Sequence, residues 1–431
     1  MHAVRKLCLG IAAASLAATL AGLVLGQPGL WSPAAVLAAV TLALGLGAVP
    51  ELKGYQFTAW IVAAVVAAMI FPGAFLKVGD FDLRNKWLIL LVVQTVMFGM
   101  GTQMSLRDFS GVVKTPRGVL VGLICHFSVM PLVGFALTKL FDFPPEIAAG
   151  IILIGSCSSG LASNVMAYLA RSNLVLSVTV TAITTLVAPF LTPLLMKLFA
   201  GALVEVKFLN LMVEIIKIVI VPIAAALIHD HLKHRPTALA RWVNAQWLTT
   251  GACLFIFLLR DHILVTTLPD SVQLAIELSG FLLAAVAVGV AYHRLTRWLP
   301  KLDALMPQLS MAGIVYFTTV TTAAGRDNLL KVGALLFIAS VLHNAAGYFF
   351  GYWLSRAAGL DKSSARSVAF EVGLQNGGMA SGLAGAMGKL GTVGLAPAIF
   401  SPWMNISGSI LANFWHKHPV DDAPPPDRGE S

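Results

Sequence analysis

Apolar runs of about 20 residues, each closed by a short polar or basic connector, recur from the first line of the sequence to the last. The spacing predicts about fourteen spans, at 5–26, 33–50, 56–72, 86–104, 117–140, 145–170, 173–200, 208–229, 244–263, 272–293, 303–324, 330–356, 363–388 and 393–416. Backbone groups in hydrocarbon must pair within their own segment, so runs of this length are helices. Barrel strands would be shorter and would alternate. The chain is therefore expected to be an all-α polytopic membrane protein with lipid as its surroundings. The stretch after His416, with Ala423-Pro424-Pro425-Pro426, reads as a disordered polar tail. The first run follows Arg5 and Lys6 in the manner of a signal peptide, but it is as long as a full span, and a retained helix is the better reading.

Two spans depart from the aliphatic pattern. Gly155-Ser156-Cys157-Ser158-Ser159-Gly160-Leu161-Ala162-Ser163-Asn164 puts small and polar residues in the middle of one. Glu371-Val372-Gly373-Leu374-Gln375-Asn376-Gly377-Gly378 puts a carboxylate, two amides and three glycines inside another. Glycine permits unwinding, and unwound backbone at membrane depth is tolerated only against protein or a polar cavity. Two interrupted helices, one in each half, point to a secondary transporter built from inverted repeats. A carboxylate near mid-membrane costs a few kcal/mol or more and is usually functional. Glu371, Gln375, Asn376, Ser163 and Asn164 offer the oxygens that a hard cation such as sodium prefers. Ser177 and Thr181 share a helix face at i, i+4. On spacing alone they read as hydroxyls bonding back to their own helix.

Composition narrows the function. The chain is 58% hydrophobic and 11% charged, which a soluble domain could not disperse. The net charge of +9 arises from residues in connectors, with no basic stripe interleaved by aromatics, so nucleic acid is not an expected partner. The basic connectors 107–117, 233–241, 294–301 and 356–366 fall on one side when spans alternate, which places both termini in the cytoplasm of a bacterial-type inner membrane. The four cysteines lie in apolar segments without a C-x-x-C pair and read as reduced core side chains. His229, His231 and His234 resemble a metal cluster, but beside Lys233 and Arg235 they read as a solvated basic turn. No H-E-x-x-H, Walker A or nucleophile-elbow motif occurs, so no enzyme is expected.

Ser163-Asn164-Val165-Met166-Ala167-Tyr168-Leu169-Ala170-Arg171 with Ser177 and Thr181 resembles the bile acid:sodium symporter family. So do Glu371-Val372-Gly373-Leu374-Gln375-Asn376, Asn405-Ile406-Ser407-Gly408-Ser409, Met97-Phe98-Gly99-Met100-Gly101, Met130-Pro131, Val221-Pro222 and His343-Asn344. The resemblance covers about 55–229 and 303–416. It implies a ten-helix unit of two inverted five-helix repeats, at 55–200 and 201–416, with broken helices crossing where two sodium ions bind. By the resemblance, Ser163, Asn164, Ser177, Thr181 and Glu371 would hold one sodium. Glu371, Gln375 and the carbonyls of Val372 and Leu374 would hold the other. The run from Gln375 to Ala384 is similar to branches that carry pantoate, 2-keto acids or related monocarboxylates, so a small organic anion is the expected substrate. Thr318, Thr319, Thr321, Thr322 and Asn344 either line its cavity or serve ordinary helix packing.

Three features depart from the family pattern. His126 stands where a glutamine is usual, and a proton there would substitute for the second sodium. Ser158-Ser159-Gly160 replaces Pro-Gly-Gly in the first break. The spans within 1–54 and an inserted pair at about 236–300 have no counterpart, and they are expected to pack outside the ten-helix unit. A proton-coupled carrier, an arsenite-type exporter using Cys157, or a transporter-like sensor are the competing readings.

Overall fold

The computed structural model describes residues 2–49, 52, 55–234, 239–259 and 267–420. The helices are α1 (His2–Val24), α2 (Pro28–Gly45), α3 (Gln56–Ile70), α4 (Lys86–Gly101), α5 (Pro116–Leu140), α6 (Pro145–Ser156), α7 (Ala162–Leu169) and α8 (Leu174–Ala200). They continue with α9 (Phe208–His234), α10 (Leu239–Leu259), α11 (Asp270–Trp298), α12 (Leu302–Ala324), α13 (Arg326–Ala357), α14 (Lys362–Gly373), α15 (Gly377–Ala386) and α16 (Leu395–Lys417). Every predicted span finds its helix. The ends of the expected 33–50 and 244–263 spans, Arg235, Lys53 and the polar tail from residue 421 lie outside the described residues.

Local chemistry sets the helix ends. Asn85, Asn173, Asp361 and Asn376 cap α4, α8, α14 and α15, each accepting backbone N–H bonds from the first turn. Proline opens α2, α5 and α6, where its missing N–H is no loss. Gly388, at φ +69°, lets the chain leave α15 in the left-handed region.

Seven helices among the described residues are individually long and apolar enough to cross a membrane: α1, α2, α5, α8, α9, α11 and α13. Several others fall short for identifiable reasons. Two expected spans are each split, into α6–α7 and α14–α15, and α3 has only 15 residues. α12 buries a polar threonine face. Connecting α3 to α4 is a small antiparallel hairpin, β1 (Lys77–Val78) and β2 (Phe81–Asp82), which periodicity over two-residue strands does not predict.

The core gathers around α5 to α8 and α13 to α16, with Phe370, Phe400, Met130 and Leu176 fully buried. α1 and α2 form a hairpin against α3, and α10 and α11 pack together beside α9. Both pairs thus pack against α3 and α9, away from the two broken helices α6–α7 and α14–α15, which lie in the buried core.

Candidate functional site

The first helix stops at Ser156 and resumes at Ala162; the second stops at Gly373 and resumes at Gly377. The two gaps meet. Ser159 and Gln375 form an antiparallel bridge. The Gly160 N–H donates to the Leu374 carbonyl at 2.9 Å, and the Asn376 N–H to the Ser158 carbonyl at 2.8 Å. Each gap thus satisfies the backbone groups the other has freed, which is how unwound chain survives at this depth. Gly160 is required by the contact: a Cβ there would lie 2.6 Å from the Gln375 carbonyl oxygen.

Glu371, on the last turn of α14, is fully buried. Its Oε1 accepts from the Ser177 hydroxyl at 2.5 Å, and its Oε2 from the Thr181 hydroxyl at 2.8 Å. The same two hydroxyls lie 2.9 and 3.2 Å from the Asn164 side-chain carbonyl. Ser163 lies 3.3 Å from Thr181 and gives its own hydrogen to the Gly160 carbonyl at 2.7 Å. Spacing alone had Ser177 and Thr181 bonding to their own helix; their oxygens instead face a carboxylate 194 and 190 residues away in the chain.

A count of hydrogens shows what this cluster can do. Ser177 and Thr181 each carry one hydroxyl hydrogen and each face two acceptors. With Glu371 ionised and the Asn164 amide oxygen turned to both hydroxyls, lone pairs outnumber hydrogens around the carboxylate. No ion pair among the described residues involves Glu371. An uncompensated buried carboxylate costs several kcal/mol. Oxygen-rich, hydrogen-poor and net negative, the cluster suits a small hard cation.

The remaining predicted residues are close by but differently engaged. Gln375 donates from Nε2 to the Val372 carbonyl at 2.7 Å, and its buried Oε1 has no partner among the described residues. The Leu374 carbonyl accepts from Gly160 N and from Ser159 Oγ at 3.2 Å, which fills both lone pairs. The Asn376 side chain caps α15 at Met379 N. His126 is fully buried between the two broken helices: Nδ1 lies 2.9 Å from the Glu371 carbonyl and Nε2 2.8 Å from the Cys157 carbonyl. A neutral ring has one N–H and can donate to only one of them. The ring occupies the gap between the two helix ends.

Sequence reasoning passed over Ser159, whose hydroxyl reaches both Ser163 and Leu374; it sits in the break, but its serine neighbours gave no reason to single it out. Asn344 holds the second break by donating to the Gly373 carbonyl at 2.8 Å and accepting from Ser407 at 2.5 Å. Thr318 and Thr319 bond back to their own helix, and Thr321 has no hydrogen-bond partner among the described residues. His229 is not part of a solvated turn. It is buried 3.3 Å from Asp303 and stacks beside Tyr292 and His293, because α9 runs on to His234 and brings it under α12. Cys157 is fully buried in the hydrophobic core.

Comparison with known proteins agrees with this architecture. Residues 89–259 match the family model described as the Sodium Bile acid symporter family. The chain is 32% identical over 370 residues to the uncharacterized sodium-dependent transporter YocS of Bacillus subtilis, covering 86% of this chain and 93% of that one. It is 29% identical to a probable chloroplastic sodium/metabolite cotransporter, BASS1, of Oryza sativa, covering 87% and 75%. The human ileal sodium/bile acid cotransporter is 25% identical, over 76% and 78%. Among solved structures, the sodium proton antiporter MjNhaP1 of Methanocaldococcus jannaschii superposes with a TM-score of 0.54 at 12% identity, over 90% of this chain and 98% of that one, a likeness of fold alone.

Proposed function

The chain belongs to the sodium bile acid symporter family, and from that premise we propose that it carries a small organic anion together with sodium by alternating access. A monocarboxylate such as pantoate or a 2-keto acid is the proposed substrate. The observation that carries the reading is the hydrogen-poor oxygen cluster of Ser163, Asn164, Ser177, Thr181 and Glu371 at the crossing of two broken helices. A cation there neutralises Glu371 and ties α14 to α7 and α8. The relatives named as sodium-dependent support sodium as that cation. The proposed repeats run over 55–200 and 201–416, with both termini cytoplasmic in a bacterial-type inner membrane.

The His126 geometry favours a single sodium per cycle. Its ring fills the space between the Glu371 and Cys157 carbonyls, and the Leu374 carbonyl already accepts two hydrogen bonds. One sodium with a monovalent anion moves no net charge, whereas two would carry inward current.

The test is uptake of labelled pyruvate and pantoate into proteoliposomes under an inward sodium or potassium gradient, with and without an imposed membrane potential. Sodium-dependent, potential-insensitive uptake is expected. Uptake that is indifferent to sodium and follows a proton gradient would instead make Glu371 a proton carrier.

A further inference from the structure

A crevice of about 530 Å³ opens between α4, α9, α11 and α15, at the ends of these helices marked by Lys86, Asn210, Asp270 and Ala386. One wall is the glycine edge of α15, at Gly382 and Gly385; the opposite wall is α9 and α11. In that wall sits Lys217, its side chain 9% exposed. It is nine residues into α9, about 14 Å along the axis at roughly 1.5 Å per residue. The ammonium lies 2.6 Å from Glu214, 3.2 Å from Glu277 and 5.5 Å from the Phe281 ring. Ionisable groups at such depth are costly and seldom idle. Lys217 also falls in a π turn, Ile216–Ile220, and its carbonyl accepts from the Gln94 side chain at 3.1 Å. Single π turns inside helices frequently mark functional sites.

The two carboxylates on this ammonium differ in kind. Glu214 is on the same helix at i, i+3 and makes the closer contact. Glu277 comes from α11, one of the inserted pair, and makes the longer one. An ammonium has three hydrogens and no geometric preference between carboxylates. The looser partner, on a helix that lines the open crevice and not on the helix that carries Lys217, is the one a second carboxylate can displace.

We propose that the crevice receives the carboxylate of the transported anion at Lys217, with Glu277 holding that position while the crevice is empty. This rests on the symporter reading above and names the contact that selects a carboxylate. It gives the inserted pair a role, as the source of the exchangeable group. It also suggests a link to the cation. The α15 wall begins beside Asn376 at the crossing, and Gly382 is six residues further on, about 9 Å at roughly 1.5 Å per residue. Cation and anion then act on the two ends of one short helix.

The experiment measures sodium-driven uptake of pyruvate and pantoate by wild type, Glu277→Gln and Lys217→Gln, together with thermal shifts of the detergent-solubilised proteins by the same probes and by sodium. Glu277→Gln removes a competing negative charge and should lower the KM for both probes about tenfold. Lys217→Gln should raise it at least tenfold while leaving the sodium-induced thermal shift intact, which separates lost recognition from misfolding. A KM that rises in Glu277→Gln overturns the proposal, because the acidic pair would then be recognising a positive group; alanine in place of pyruvate would expose that preference. An unchanged KM in both variants, or no thermal shift of wild type by either probe, also overturns it. Binding that requires Lys217 but ignores sodium supports the crevice and sinks sodium coupling. Sodium-driven uptake that ignores Lys217 does the reverse.

Discussion

Replacing Glu371 by glutamine keeps the shape of the side chain and removes its charge, so it isolates the electrostatic part of the proposed cation site. A monovalent cation about 3 Å from the carboxylate gains roughly 5 kcal/mol at an effective dielectric of about 20. The desolvation of Glu371 is already spent in the folded protein and cancels between loaded and empty states. An amide oxygen in the same place recovers about two-fifths of the attraction, leaving a loss of about 3 kcal/mol, or roughly a hundredfold in sodium affinity. At sodium equal to about 100 times the wild-type Kd, the wild type gains about 2.7 kcal/mol of stability and the variant only about 0.4 kcal/mol. Without sodium the order reverses, because the variant no longer buries an unpaired charge. The assay is thermal unfolding of purified protein across a sodium titration, with potassium or choline holding ionic strength constant. The two curves should cross. Parallel curves, with equal sodium shifts in wild type and variant, would refute the assignment of Glu371 as a sodium ligand.

Three further outcomes are expected. Thr181→Val conserves shape but deletes the hydroxyl 2.8 Å from Glu371, and should weaken sodium activation of uptake about tenfold, with Thr181→Ser restoring most of it. Gly160→Ala forces a Cβ to 2.6 Å from the Gln375 carbonyl, backbone that cannot give way, and should cost about 1–3 kcal/mol, read as a lower unfolding temperature and lost monodispersity in size-exclusion chromatography. His126→Gln frees the carbonyls of Glu371 and Cys157, so the sodium dependence of uptake should change from hyperbolic to sigmoidal and become sensitive to membrane potential; a curve identical to wild type would count against the one-sodium reading.

The helices were legible because the membrane imposes one rule on every segment: about 20 apolar residues with internally paired backbone. The two breaks were legible for the complementary reason, since Ser158-Ser159-Gly160 and Gly373-Leu374-Gln375-Asn376-Gly377 contain what aliphatic helices exclude. What periodicity could not supply was partnership across the chain. Ser177 and Thr181 look like self-satisfied hydroxyls until Glu371 arrives from another helix. Lys217 and Glu277 lie 60 residues apart in segments that each read as ordinary spans, so their ion pair left no local signal. His229 was misread because Asp303, its partner, belongs to a helix whose start cannot be placed beside α9 from spacing alone. The family resemblance bridged the first of these gaps and not the other two: it extends over Lys217, His229 and Asp303 but supplied no partner for them, and it does not reach Glu277.

Coupling, on the proposed reading, follows from where the charges are and not from any single contact. The crossing joins four half-helices through one short bridge of two backbone hydrogen bonds, so α7 and α15 start from the same short stretch of backbone close to Glu371. With the cation absent, the carboxylate is buried, unpaired and bonded to hydroxyls of α8; moving it across hydrocarbon in that state would carry the full cost of a naked charge. With the cation bound, the crossing is neutral and its oxygens are drawn together. An anion at the far end of α15 then meets a helix whose start is fixed, and it moves with a partner whose charge cancels its own. If one sodium accompanies one anion, the loaded carrier and the empty one carry the same net charge, the sodium-loaded crossing is neutral, and the anion alone would add a second negative charge to an unpaired Glu371. A carrier built this way suppresses anion leak by making the anion-only state the expensive one. It needs no separate gate to reject the anion alone.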